Sequence, residues 1–345
     1  MSAADLIHAS RAQRSFRLRL RMNLIVSFFA LCCTVSTSLV AYGQQSTEDH
    51  ATIIIVVGAA GEEEFGKAFM EWAALWEKAG TVAGAKLISI GLKPSEGSSD
   101  REKLEQALAT EANEPGQLWL VFIGHGTFDG KEAKFNLRGP DISANDLATW
   151  LRPLRRPVAV IDTASASSPF IKALSAEGRV IITATRSGYE QNYARFGRYL
   201  AAAITDPQAD LDKDGQTSLL EAFLIASRRL AEFYQVEGRL ATEHALIDDN
   251  GDGLGTPADW FRGIRAVKKA QDGAALDGVR AHQFHLLRND SERHLPAAAR
   301  AKRDELELAI AKLRASKTQV AEDEYYRDLE KLMLELAHLY QGVND

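Results

Sequence analysis

"WLVFIGHGTFDG" (Trp119–Gly130) and "VAVIDTASASS" (Val158–Ser168) are built alike. In each, a short apolar run proceeds without a break and then gives way to glycine, histidine or small hydroxyl residues. Unbroken apolar runs bounded by turn residues are the pattern of strands buried on both faces, as in parallel sheets. The strands read this way are Thr52–Val57, Lys86–Ile90, Leu118–Ile123, Val158–Ile161 and Val180–Ala184. Helical stretches fill the gaps at Glu62–Ala79, Asp100–Ala112, Ser143–Leu151 and Pro169–Ala176, with Asp100, Ser143 and Ser168 placed as N-caps. Strand and helix in alternation predict an α/β fold: a doubly wound, mostly parallel sheet with helices on both faces. Ligands of such sheets sit beyond the carboxyl ends of the strands. That places His125 and the residues after Ile161 where chemistry is expected.

The chain of 345 residues, 46% apolar and 26% charged, has the composition of a globular protein. Its first 43 residues stand apart. Arg11, Arg14, Arg17, Arg19 and Arg21 precede an uncharged apolar run, Leu24–Val40, and Ala41-Tyr42-Gly43 offers small residues for cleavage. This is a signal-peptide layout, with residues 44–51 as a linker and export, periplasmic or extracellular, as the expectation. An uncleaved anchor is the other reading of the run; after cleavage no stable membrane insertion is expected. Of 41 basic and 47 acidic residues, five arginines and Asp5 fall within residues 1–43, which leaves 36 against 46, a net of −10. An acidic chain of this kind is a poor partner for nucleic acid, whose phosphates want a basic face. Both cysteines, Cys32 and Cys33, lie in the signal, so the exported chain is expected to hold neither a disulfide nor a thiol nucleophile.

His125, set between Gly124 and Gly126, is placed to act as a general base at the sheet's edge. One strand further on, Thr163-Ala164-Ser165 opens a loop that brings Ser165 to the same edge if the two strands are neighbours. A plainer reading has the hydroxyl residues only turning the chain and capping the next helix, which accounts for Ser168 and leaves Ser165 unexplained.

The order strand, His-Gly, strand, Ala-Ser resembles the caspase-like fold of clan CD peptidases, the group of caspases, metacaspases, legumain and the GPI-transamidase catalytic subunit. His125-Gly126 matches the family's histidine, and Ala164-Ser165-Ala166-Ser167-Ser168 matches its nucleophile turn with Ser165 in the cysteine's place. "IIIVVGAAGEEEFG" resembles the legumain-type first strand and loop. "VIITATRSGYEQNYARFGRYLAAAI" resembles the strand and helix that border the substrate groove of bacterial caspase-like proteins. The resemblance covers about Ile53 to Trp260 and implies a caspase-like domain over residues 52–260. It departs from the family at the nucleophile. A thiolate forms readily near neutral pH, whereas a serine needs a hydrogen-bonded base, itself oriented by a third group. Asp129 and Asp162 do not align with such an orienting carboxylate.

"DLDKDGQTSLLE" (Asp210–Glu221) fills every position of an EF-hand-type calcium loop: Asp210, Asp212, Asp214, the Gln216 carbonyl, Ser218 and Glu221, with Gly215 at the tight turn. Helices at Tyr193–Ile204 and Leu219–Phe233 complete the insertion, residues 193–233. A second run, "DDNGDGLGTPAD", sets Asp248, Asn250, Asp252 and Asp259 at the same offsets, with a shorter last ligand and Pro257 in the way of an exiting helix. Ca2+ is the expected cofactor, and the resemblance suggests that it braces the groove wall. His282 and His285, three apart with no other ligand nearby in sequence, read as a helix surface. Gly58–Gly61 is excluded as a phosphate loop by Glu62-Glu63-Glu64 at the helix start.

Residues 261–345 read as a helical region. Leu306, Ile310 and Leu313, then Tyr326, Leu329, Met333, Leu336 and Tyr340, give a helical hairpin or short coiled coil, through which the protein could form oligomers. The expected function is that of an exported, caspase-like pseudo-peptidase that binds peptide or protein in its groove. One alternative is a peptidase or transpeptidase with Ser165 as nucleophile and His125 as base. Another is a calcium-dependent assembly module acting through the C-terminal helices.

Overall fold

The computed structural model describes residues 49–344 except 95, 96 and 273; the signal-peptide expectation and most of the linker lie outside the described residues. A seven-stranded sheet forms the centre, in the order β10-β9-β8-β7-β3-β1-β2. Its strands are β1 (Thr52–Val57), β2 (Lys86–Ile90), β3 (Leu118–Ile123), β7 (Val158–Asp162), β8 (Arg179–Thr183), β9 (Leu246–Asp248) and β10 (Thr256–Pro257). β2, β1, β3, β7 and β8 run parallel; β9 and β10 turn antiparallel. Among the described residues no helix is long and apolar enough to cross a membrane.

Alternation along the strands divides the core in two. Ile53, Ile55, Val57, Trp119 and Val121 face α1 (Glu63–Ala83), α5 (Phe196–Ala203) and α6 (Leu219–Val236). Ile54, Val56, Leu120 and Phe122 face α2 (Asp100–Thr110), α3 (Ala144–Leu151) and α4 (Pro169–Leu174). Both faces of the sheet are thus covered, which is why its strands read as continuous apolar runs. From β1 the chain passes outward to β2, then returns to the other side of β1 for every later strand. Because Val57 pairs with Ile123, and Phe122 with Asp162, the strand ends are level. Gly58, His125 and Ser165 therefore leave the sheet at one edge, beside the point where the strand order reverses.

The structure departs from the sequence reading in several places. β9 and β10, beyond the acidic insertion, are not among the strands read from the sequence. Only three residues of β9 pair, too few for a period of two to show. The second acidic run leads only into a single 3-10 turn, Ala258–Trp260, and not into an α-helix, because Thr256 pairs back to Ile247. A small sheet of β4 (Gly126–Phe128), β5 (Ala133–Phe135) and β6 (Ile142–Ser143) was not foreseen. Ser99 rather than Asp100 caps α2, in a reciprocal box with Glu102. Ser143 caps α3 as expected. Ser168 caps nothing: its backbone is already helical, and its N–H donates to Thr185 Oγ1 at 3.1 Å.

At the opposite edge, beneath the strand starts, Glu111 is fully buried. It accepts hydrogen bonds from Arg156 (2.7 Å), Thr52 (2.9 Å) and Lys86 (2.6 Å). Burial opposes its ionisation, but these donors and the two cations outweigh that and hold its carboxyl below the usual range.

Toward the C-terminus, β11 (Phe261–Arg262) and β12 (Arg265–Ala266) form a short hairpin, followed by α7 (Val279–His282) and α8 (Asp290–His294). Ala281, Phe284 and Leu286 enter the first core, where Phe284 meets Trp119 edge-on with ring centroids 5.7 Å apart. α9 (Ala297–Ala315) and α10 (Glu322–Asn344) pack together as a helical hairpin.

Candidate functional site

His125 follows β3 directly. Phe65 and Phe69 of α1 meet its ring edge-on at 5.0 and 5.1 Å, and Tyr193 lies 6.2 Å away. Burial among these rings lowers its pKa, more than the Ala60 carbonyl and the charge of Glu62 raise it. Nε2 lies 3.2 Å from the Ala60 carbonyl oxygen. A carbonyl only accepts, so Nε2 carries the proton and the neutral ring keeps its lone pair on Nδ1.

Ser165 lies after the adjacent strand, as expected, but its hydroxyl is turned elsewhere. The residue is 3% exposed. Its Oγ donates to the Gly126 carbonyl at 3.1 Å and accepts from the Gly126 N–H at 3.2 Å. A Cβ on Gly126 would run into the Ser165 carbonyl oxygen, so glycine is what lets the two backbones approach. Among the described residues no hydrogen bond joins His125 to Ser165. The structure brings the two to one edge and gives each a backbone partner of its own.

Asp162 ends β7 just before this loop. Its Oδ1 accepts from the Ala164 N–H at 3.1 Å, while Oδ2 is buried without a partner among the described residues. Burial pushes the carboxyl up to about 7. Around the same edge Phe128 meets Tyr189 edge-on at 5.3 Å, and Tyr189 is 75% exposed.

A second candidate site lies away from this edge. In loop 1, Asp210–Glu221, the Asp210 carboxylate accepts from the N–H groups of Lys213 (2.6 Å) and Gly215 (3.2 Å). Asp212 accepts from Asp214 (3.3 Å), and Asp214 from Gln216 (2.8 Å). Lys213 and Gly215 take positive φ, 66° and 86°, which winds the loop tightly. Oxygens of Asp210, Asp212 and Asp214 come within 4.8 Å of one another. Glu221, fully buried, accepts on one oxygen from the Leu211 N–H (2.6 Å) and on the other from the N–H and hydroxyl of Ser218 (both 2.8 Å). This donor set fits calcium, which takes six to eight hard oxygens from a flexible loop.

Loop 2 repeats the pattern. Asp248 accepts from Gly251 (3.2 Å) and Gly253 (3.0 Å), Asn250 from Asp252 (2.8 Å) and Asp252 from Leu254 (2.8 Å). Asp259, at the twelfth position, lies exposed in the turn Ala258–Trp260. The place that Glu221 holds in loop 1 belongs in loop 2 to Asp277. Asp277 accepts on Oδ1 from the N–H groups of Asp249 (3.0 Å) and Asn250 (3.3 Å), and on Oδ2 from the Thr256 hydroxyl. These are the second, third and ninth positions, from which Glu221 also receives its bonds. Burial, together with the charge of Asp249, raises the Asp277 pKa. No offset counted from Asp248 leads to Asp277; only the return of the chain through "LDGVRAHQF" brings it there.

No family model matches the chain, and no curated protein sequence does. Among solved structures it is similar to caspase-1 from Spodoptera frugiperda, at 10% identity and TM-score 0.39 over 59% of this chain and 87% of that one. It is similar to the Drosophila initiator caspase Dronc, at 11% identity and TM-score 0.41 over 59% and 80%. Raptor from Chaetomium thermophilum matches at 11% identity and TM-score 0.33 over 81% of this chain and 24% of that one.

Proposed function

We propose that the protein is an exported, caspase-like pseudo-peptidase that binds peptide or protein at the edge around His125 and Ser165, its fold braced by calcium in loops 1 and 2 away from that edge. The observation that carries this reading is the Ser165 hydroxyl, which exchanges hydrogen bonds with Gly126 rather than with His125. A serine nucleophile needs a base within about 2.6–3.2 Å, and the hydroxyl is instead held shut in a backbone pair. The aromatic rim of Phe128 and the exposed Tyr189 supports the binding role, since such side chains anchor partners through large, rigid contact area.

Incubated with a broad peptide library, the protein is expected to release no product above buffer. Peptides selected from an immobilised random library should bind Tyr189→Ala about tenfold more weakly, the loss expected of an aromatic anchor. Turnover by the unaltered protein that disappears in Ser165→Ala would overturn the reading and make the chain a serine hydrolase.

A further inference from the structure

Loop 1 is not lined by oxygen alone. His282, at the end of α7 and 61 residues beyond Glu221, places Nε2 at 3.0 Å from Asp212 Oδ2. That oxygen is the one left over once Oδ1 has accepted the Asp214 N–H. Ligand atoms of Asp212, Glu221 and His282, drawn from a loop and two helices, all lie within 4.8 Å of one another. Beside them, the His285 ring is 6.0 Å from that of His282, and its Nε2 is buried without a hydrogen-bond partner. Buried ring nitrogens ordinarily find a partner, and among the described residues this one, next to His282, has none. Loop 2 differs. Its third-position side chain, Asn250, is spent on Asp252 and the Ala275 carbonyl.

Calcium is a hard ion that takes oxygen ligands, whereas imidazole suits zinc and the later first-row metals. We propose that Asp212, Glu221 and His282 hold a first-row transition-metal ion of the zinc class, so that loop 1 takes such an ion in competition with calcium while loop 2 does not. This rests on loop 1 being a cation site. Metal–nitrogen and metal–oxygen distances of about 2.0–2.2 Å at zinc put neighbouring ligands about 3–3.5 Å apart, close to the separation of Asp212 and His282. The Asp212 carboxylate, now hydrogen-bonded to the imidazole, would exchange that proton for the ion. His282 is partly exposed, so its replacement leaves the core untouched.

The test uses the full chain stripped with chelator. Cobalt(II) should bind with visible absorption bands that report nitrogen ligation, and zinc should displace it. In His282→Ala the bands should vanish and zinc affinity, read by calorimetry, should fall at least tenfold, as much as losing even an outer-shell partner costs. Calcium binding should survive in that variant, because every oxygen of loop 1 remains. Zinc affinity unchanged in His282→Ala would overturn the proposal, as would calcium binding without zinc binding; either result leaves the calcium reading standing. Failure of both ions to bind overturns the two together.

Discussion

Glu111→Ala is expected to lower the melting temperature by about 10 °C. The substitution leaves Arg156, 3% exposed at its side chain, as a buried cation without its carboxylate. Breaking a buried pair by removing one partner costs about 3–5 kcal/mol, and for a domain of this size each kcal/mol is worth about 2–4 °C. Replacing both partners, as in Glu111→Leu with Arg156→Met, should recover most of the loss, because no unpaired charge is then left inside. The network also fixes a pH dependence. The Glu111 carboxyl titrates lower in the folded chain than in the unfolded one. Its contribution is therefore present above the ordinary glutamate pKa, about 4.3, and disappears as the pH falls through the lower folded value. Thermal melts followed by circular dichroism should show the penalty of Glu111→Ala at pH 7 shrinking as the pH is taken below 4. A penalty under 1 kcal/mol at pH 7 would mean that water reaches the pair.

The second large effect concerns the acidic loops. Calcium that binds only the folded chain raises stability by about 2.7 kcal/mol when its free concentration is a hundred times Kd. Melts in millimolar calcium should therefore move up by several degrees and return with chelator. Asp277→Asn should remove one of two calcium ions counted by calorimetry, and Asp259→Asn should remove none. Asp277 closes loop 2 from the same three positions at which Glu221 closes loop 1, whereas Asp259 is turned to solvent. The stoichiometry is the readout because a buried substitution changes melting for reasons unrelated to metal. Loss of an ion in Asp259→Asn, with Asp277→Asn still binding two, would reverse the assignment of the last ligand.

Strands β1, β3, β7 and β8 were legible because their central residues are apolar on both sides, and Ile54 or Val121 has nowhere to be except inside. Loop 1 was legible because its ligands are local, set by offsets within twelve residues. What could not be read depends on distant chain segments. Asp277 and His282 reach the loops only after the chain has travelled through the β11–β12 hairpin, and no spacing rule anticipates that route. Ser165 could be placed at the right edge, yet the partner of its hydroxyl is a backbone pair at Gly126, and backbone partners leave no mark in side-chain identity. Ser168 failed as a cap because its backbone already lies in the helical region, where an N-cap is extended, and that conformation is not marked by the residue's identity.

Asp49, just ahead of the first strand, holds Arg288 and Arg300, and Gln117 at the start of β3 donates to the Gln283 carbonyl. The contacts that seal the strand starts are thus made with residues well over a hundred positions later. Contacts of such sequence separation form late and slow the search. At about 5–20 residues per second, synthesis takes about eight seconds or more to pass from Trp119 to Phe284, the ring that covers it. Until Phe284 is made and docks, the edge of the sheet near Trp119 stands open to water.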